Sequence, residues 1–376
     1  MHTPVAWHNT FYNKKRVIAA SAGIIFATLL IFMQVGFLDA AKKNASFLHE
    51  SLDFDLIILS KGYLSVQRSL SINRHRLIRA RNVTGVESST GIMIDSARWL
   101  NTETNDDSSC MVIGVDPVST PFESGEIIKL LSNVNNPNTI LVDRLSNKDY
   151  GNINVGGIAI LKNIPFKITG NYDLGPGLIS DGSVIMSHES FYNLFNRNEE
   201  SGYELGLIKI KSGFDIDSVI KAIDDALPND VRIITKENII KKERDYFVSV
   251  KPIGVMFKVG ATVAFIIGSV ILYQVLSFEI TNRINEFATM KAMGYRDSYI
   301  YKIGIGQALI FSILGYLPAF ILAFYLYKLI YTLARLPIFM EFERALLVLS
   351  LTLVMCSIAA VLALRKVKQA DPADLF

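Results

Sequence analysis

EITNRINEFATMKAMGY, residues Glu279–Tyr295, stands between two long apolar runs. An ordinary connection there would need only flexible polar residues. A helix from Ile284 to Met293 would instead set Asn285, Glu286 and Thr289 along one strip, with Ile284, Phe287, Ala288, Met290 and Ala292 around a wide opposite side. Gly294 then supplies a left-handed stop, and Asp297 is placed to cap the helix that follows. Such a short, two-sided element has two surfaces to satisfy, membrane on one and protein on the other. The alternative is a plain interfacial turn.

The flanking runs set the class. The chain has 376 residues, 50% hydrophobic and 19% charged, with positive mean hydropathy, more apolar than an ordinary soluble protein. Four windows, Val17–Leu38, Val259–Phe278, Ile303–Leu329 and Ala345–Leu364, each supply roughly 20 mostly apolar residues, enough to cross about 30 Å of hydrocarbon. Their backbones must close their own hydrogen bonds as helices. Lys14, Lys15 and Arg16 precede the first window, but no short apolar core with a small-residue cleavage site follows, so this is read as a retained span. Residues 1–16, with Trp7, Phe11 and Tyr12 beside those cations, read as a cytoplasmic interfacial helix.

Lysine and arginine in the short segments orient the spans. With spans at 17–38, 253–278, 303–331 and 345–364, the segment 279–302 holds Arg283, Lys291, Arg296 and Lys302, and the tail 365–376 holds Arg365, Lys366 and Lys368. The loop 332–344 holds little besides Arg335 and Arg344. The positive-inside rule therefore gives a multi-pass inner-membrane protein with both termini cytoplasmic. The net charge of +3 is mild, and no basic, aromatic-interleaved surface argues for nucleic acid.

Residues 39–252 are large enough for one or two folded domains outside the cytoplasmic membrane. Phe54–Ser60 and Met111–Val115 read as strands, and Ile72–Arg81 as a basic helix. Asp215–Leu227 is the clearest helix, with Ile216, Val219, Ile220, Ile223 and Leu227 at helical spacing and Pro228 as a stop; the strand Val231–Thr235 follows. Asn152–Gly170 alternates apolar and polar residues with Gly and Pro punctuation, as short strands do. The expected division is an α+β lobe from 45–118 and 203–250, with a β-rich lobe, 119–202, inserted into it. Cys110 and Cys356 fall in different environments, so no intrachain disulfide is expected.

Small residues recur every four positions in the spans, as Gly23 and Ala27 in the first and Gly260, Ala264 and Gly268 in the second. That spacing lets helix backbones approach closely, either within one chain or between two. Gln34, Gln274 and Gln307 are the main polar residues in the spans and read as interhelical glue; no carboxylate or cation lies centrally. Catalysis finds little support. His49-Glu50 and His188-Glu189 lack the second histidine of a zinc-protease helix and read as surface pairs, and neither a phosphate-binding GxxxxGK[ST] loop nor a GxSxG elbow is present.

RINEFATMKAMG, Arg283–Gly294, resembles the cytoplasmic signature of FtsX/MacB-type permeases of ABC systems, through Arg283, Glu286, Phe287, Ala288, Lys291, Ala292, Met293 and Gly294. The ending Asp371-Pro372-Ala373-Asp374-Leu375 is similar to that family's ending. The opening AWHNTFYNKKR, the first span and LDFDLIILS look like the DevC branch of cyanobacterial exporter permeases. The resemblance implies four transmembrane helices plus a large α+β periplasmic domain of MacB-like, two-lobed type. It also implies an ATPase-coupling helix carried by Arg283, Ile284, Glu286, Phe287, Ala288, Met290, Lys291, Met293 and Gly294. The implied partners are a separate ABC ATPase that binds ATP and Mg, a second copy of the chain, a membrane-fusion adaptor, a TolC-like outer-membrane duct and membrane lipid. The permease itself would hold no cofactor and catalyse nothing. Its implied cargo is an amphiphile such as a glycolipid. The alternatives are a lipoprotein-release permease and an FtsX-like regulator of a cell-wall hydrolase.

Overall fold

The computed structural model describes residues 14–175, 180–250, 252–282, 289, 293–295, 297–334 and 336–369. The chain divides into two compact units: residues up to Ala40 with Pro252–Ala334 and Ile338 onward, and Ala41–Lys251 with Arg335–Pro337. The expected interfacial helix lies largely outside the described residues, which begin at Lys14 in helix α1, Lys14–Ser51.

The second unit is built on strands β1 (Leu56–Ser60), β2 (Val86–Leu100), β3 (Asp107–Val115), β4 (Thr139–Asp143), β5 (Ile158–Leu161), β6 (Ile164–Tyr172), β7 (Gly182–Ser187), β8 (Leu205–Ile210) and β9 (Val231–Thr235). Helices α2 (Arg74–Arg81), α3 (Gly125–Leu130), α4 (His188–Phe195), α5 (Ile216–Ala226) and α6 (Lys236–Ser249) lie between and after them. Hydrogen bonding orders the strands β3-β7-β4-β6-β5-β2-β8-β1-β9, and β2 also pairs with β3. That extra pairing closes β2, β3, β7, β4, β6 and β5 into a six-stranded ring, from which β8, β1 and β9 continue as an open sheet. Closure removes the ring's exposed edges.

β2 is the strand both sheets share. Its first half, to Ile92, pairs with β8; Met93–Leu100 pair with β3, and Trp99 and Leu100 also meet β5. Where β8 leaves, the Glu204 carboxylate accepts the Ile94 amide at 3.0 Å and the Arg197 guanidinium at 2.8 Å. Arg197 also reaches Asp95 at 2.7 Å. Burial pushes the Glu204 carboxyl up against the pull of those bonds, so the ion pair keeps a charged acceptor on a backbone donor that faces the side β8 has left. The expected lobe boundary at 118/119 cuts across this ring. β2 and β3 precede residue 119 yet belong with β4–β7, because a strand of 15 residues spans both sheets.

Alternation places the core. Trp99, Cys110, Val112, Ile140, Phe166 and Val184 share one buried cluster, and neighbours of opposite parity, Ile94, Ile113, Leu141 and Ile185, share a second with Leu48, Leu52 and Ile239. Trp99 stacks on Tyr150 at 4.6 Å and donates its indole N–H to the Tyr150 carbonyl at 3.0 Å. α5 forms where helical spacing predicts it, capped by the Asp215 carboxylate on the Ser218 amide at 3.0 Å, with Val219 and Ile223 buried.

Among the described residues the first unit adds three helices, α7 (Pro252–Asn282), α8 (Asp297–Ala334) and α9 (Phe342–Gln369). With α1 these are four helices long and apolar enough to cross a membrane.

One buried polar cluster in the second unit is titratable. Tyr63 donates to the Glu243 carboxylate at 2.6 Å, its hydroxyl lies 3.4 Å from His49 Nε2, and Lys242 donates to the Tyr63 carbonyl at 3.1 Å. Burial raises the Glu243 carboxyl from 4.5 to about 7, against the Tyr63 hydrogen bond and the Lys242 charge. Between those two pH values the folded chain holds a proton that the unfolded chain has released, so this group's contribution falls as pH rises from about 4.5 to 7. Glu243→Gln keeps the acceptor and removes the titration. Thermal unfolding followed by tryptophan fluorescence is expected to show the variant gaining on the parent across that interval, by about 3 kcal/mol at most.

Candidate functional site

The connection between α7 and α8 is described only in part. Arg283, Ile284, Glu286, Phe287, Ala288, Met290, Lys291 and Ala292 lie outside the described residues. Met293 and Gly294 lie within them. The Met293 amide donates to the Thr289 carbonyl at 3.0 Å, one helical turn back, and its side chain is 65% exposed. Gly294 then takes φ +89°, and a Cβ there would meet nothing within 4 Å. Backbone conformation, not space, therefore calls for glycine. Tyr295 packs on Tyr299 with ring centroids 5.1 Å apart. The described part of α8 begins at Asp297, and Arg296 before it lies outside the described residues. An exposed Met beside an aromatic pair is an apolar surface suited to protein contact.

The spans pack by close approach. A Cβ added to Gly23 would lie 2.5 Å from Ile271 Cγ2, one on Gly268 would lie 2.7 Å from Ala27 Cβ and also meet Met355, and one on Gly260 would lie 2.6 Å from the Gln34 carboxamide carbon. Ala27 and Ala264 are buried within the chain. These residues are thus occupied by contacts between α1, α7 and α9 of one chain, and an interface between copies would draw on others. Val259, Ile266 and Val270 of α7 are exposed, as is Gln274, whereas Gln307 is buried. Deeper in the bundle the Thr28 and Thr352 hydroxyls lie 3.4 Å apart.

Arg344 is the residue that sequence reasoning misplaced. Read there as a loop cation, it lies in the first turn of α9 and is only 5% exposed. It donates to Asp39 of α1 at 2.5 Å and to the Phe339 carbonyl, and lies 5.5 Å from the Tyr327 ring centroid of α8. Tyr327 in turn donates to the Phe32 carbonyl of α1. The available signal was a lone Asp at the end of one span and a lone Arg at the start of another. His49 and His188 were likewise expected at the surface. His49 is fully buried, and His188 is half-buried with Nε2 3.2 Å from the Gly91 carbonyl. Among the described residues no three His, Cys, Asp or Glu side chains are grouped to hold a metal ion.

The sequence matches the MacB-like periplasmic core domain over residues 18–226 and the FtsX-like permease C-terminal region over residues 258–372. The chain belongs to the MacB/FtsX permease family. A MacB/FtsX permease is a membrane subunit of an ABC transporter with a periplasmic domain, works with an ABC ATPase, and here carries the family's sheet-containing domain beside four apolar helices. Solved structures similar to this permease include the periplasmic region of MacB from Actinobacillus actinomycetemcomitans, at 12% identity over 50% of this chain and 90% of that one, TM-score 0.37. The extracellular domain of the noncanonic ABC-type transporter YknZ from Gram-positive bacteria is 14% identical over 48% of this chain and 98% of that one, TM-score 0.34. No curated protein matches the permease.

The Arg344 contact makes a checkable demand. Asp39→Leu removes the nearer carboxylate from a buried cation, leaving it the Phe339 carbonyl and the Glu341 carboxylate at 3.7 Å, and is expected to cost about 1–3 kcal/mol, lowering the melting temperature of the detergent-solubilised permease. The double variant Asp39→Leu/Arg344→Met is expected to recover most of that loss.

Proposed function

We propose that this permease is the membrane subunit of a DevC-like tripartite efflux system, in which a separate ATPase binds ATP and Mg and the permease converts its closure into motion of the periplasmic domain. The observation that carries the reading is the connection between α7 and α8. It bears the family's signature residues and ends in an exposed Met293 and a left-handed Gly294. In this reading Arg283–Gly294 is the coupling helix, both termini are cytoplasmic, and two copies pair through span surfaces left exposed in one chain. Cargo is then pushed from the periplasmic side into a membrane-fusion adaptor and a TolC-like duct.

The buried polar groups of the first unit support a mechanical role. Thr28, Ser277, Gln307, Ser312 and Thr352 are uncharged, and the buried Arg344 sits at a helix start against Asp39. A path for a charged solute through the bundle would call for ionisable groups near the middle of the spans. Amphiphilic cargo handled outside the bundle, such as a glycolipid, makes no such demand.

The test is purification of the tagged permease in mild detergent with and without nucleotide, combined with export assays. Recovery of an ABC ATPase and a membrane-fusion adaptor is the expected result. An ATPase with a soluble lipoprotein carrier would favour lipoprotein release, and one with a hydrolase would favour regulation. Glu286→Arg and Phe287→Asp are expected to abolish export and ATPase recovery while leaving the unfolding of the periplasmic domain unchanged. Normal export by both variants would overturn the coupling assignment.

A further inference from the structure

The ring leaves one stretch of β2 open. β3 reaches back along β2 only to Met93, opposite Gly114, and then departs at Val115 into the Asp116–Pro121 loop. On the other side β8 covers β2 from Val86 to Ile92. Ser88–Gly91 therefore have a strand on one side and, among the described residues, none on the other, and Glu87 is the unpaired residue of a bulge between Val86 and Ser88.

Parity shows which groups face the gap. The Ile92 carbonyl accepts from the Glu204 amide at 3.0 Å and the Arg98 carbonyl from the Lys162 amide at 3.1 Å, so even-numbered residues of β2 point toward β8 and β5. Odd-numbered residues point the other way, and the Gly91 carbonyl meets His188 there. The Ser89 N–H and C=O and the Gly91 N–H thus face the gap, and among the described residues no hydrogen bond occupies them.

The gap is a built cleft. Residues 87–91 line a cavity of about 780 Å³ whose walls are α2 and the Asp116–Pro121 loop. Apolar side chains stand exposed on both walls, Ile78 at 49% and Val118 at 87%. Most charges in the cleft are already engaged. Lys209 holds Asp53 at 2.5 Å, Arg74 holds Glu199, and the Asp116 carboxylate accepts the Val118 amide at 3.1 Å. Arg81 is exposed on the α2 wall, with no ion-pair partner among the described residues.

We propose that the open edge of β2 at Ser88–Gly91 is a strand-addition site for an extended segment of another protein, carrying an acidic side chain for Arg81 and an apolar one for Ile78 and Val118. An unpaired edge supplies main-chain hydrogen bonds to any extended chain, and the cleft walls supply selection among side chains. The polar run Glu-Ser-Ser-Thr-Gly has little β-propensity of its own, and Glu87 puts a charge on it, so the edge resists indiscriminate pairing. The assignment stands apart from the efflux reading, since it needs only the fold of the second unit.

Phage-displayed random heptapeptides selected against the detergent-solubilised full chain provide the probe. Selected peptides are expected to alternate acidic and apolar residues and to slow amide hydrogen exchange at Ser89 and Gly91 by at least about tenfold. Ser89→Pro removes a donor that β8 does not use together with the Oγ bond to the Leu77 carbonyl at 3.2 Å, so it is expected to lower the melting temperature about as much as Ser89→Ala does and, unlike Ser89→Ala, to lose peptide binding. Arg81→Glu, on an exposed helix position, is expected to weaken the acidic peptides and leave the melting temperature unchanged. Failure to select any peptide, undiminished binding to both Ser89→Pro and Arg81→Glu, or unchanged exchange at Ser89 and Gly91 would overturn the proposal. Protection of those amides that rises with protein concentration and needs no peptide would also overturn it, by assigning the edge to a second copy.

Discussion

A helix in hydrocarbon gains nothing from the hydrophobic effect by packing on another helix, so the spans of this permease are held by how closely their backbones approach. Gly268 is the clearest instance, since a methyl group there would run into both Ala27 of α1 and Met355 of α9. Gly260 leaves room for the Gln34 carboxamide in the same way. These contacts tie α1, which begins the chain, to helices that follow 200 residues later. The Arg344–Asp39 pair adds a charge-assisted bond between α1 and α9, where low dielectric makes pairing strong and an unpaired charge costly.

The periplasmic unit solves a different problem. Its sheet must end somewhere, and every end is a row of unpaired backbone groups. Closing six strands into a ring removes most of those ends, and the cost falls on β2, which must pass from one sheet to the other. At that crossing the Ile94 amide faces the side that β8 has left, and the Glu204 carboxylate, held by Arg197, accepts it in place of a strand. One ion pair thereby fixes the junction between ring and open sheet. Its burial also explains why a carboxylate stands where an apolar side chain would otherwise pack, since only an acceptor satisfies a buried amide.

How legible each part was depends on how far its cause reaches along the chain. The spans, α5 and β9 follow from local pattern: about 20 apolar residues for each span, helical spacing from Ile216 to Leu227, and a short β-branched run at Val231–Thr235. The ring was not legible, because its closure rests on β2 meeting both β3 and β5, a pairing that no local window contains. Arg344 was misread for the same reason, being 305 residues from Asp39. His188 reads from sequence as a surface residue because His-Glu at a helix start is ordinary there, whereas the Gly91 carbonyl that it meets is 97 residues away. The stop at Gly294 was legible because a left-handed glycine after a helical run is decided by the residue itself.

The same distinction bears on where work is done in this permease. Buried charge is costly in hydrocarbon, and among the described residues the buried span cation stands at a helix start against the Asp39 carboxylate and the Phe339 carbonyl, leaving threonine, serine and glutamine as the buried polar residues elsewhere in the bundle. In the periplasmic unit it spends buried ionisable groups more freely, with Glu204 on a backbone amide and Glu243 on Tyr63. Polar chemistry that could discriminate between ligands therefore concentrates in the periplasmic unit, while the bundle is built for close packing. In the efflux reading proposed above, such a division leaves recognition outside the membrane and gives the spans the work of holding and moving that part.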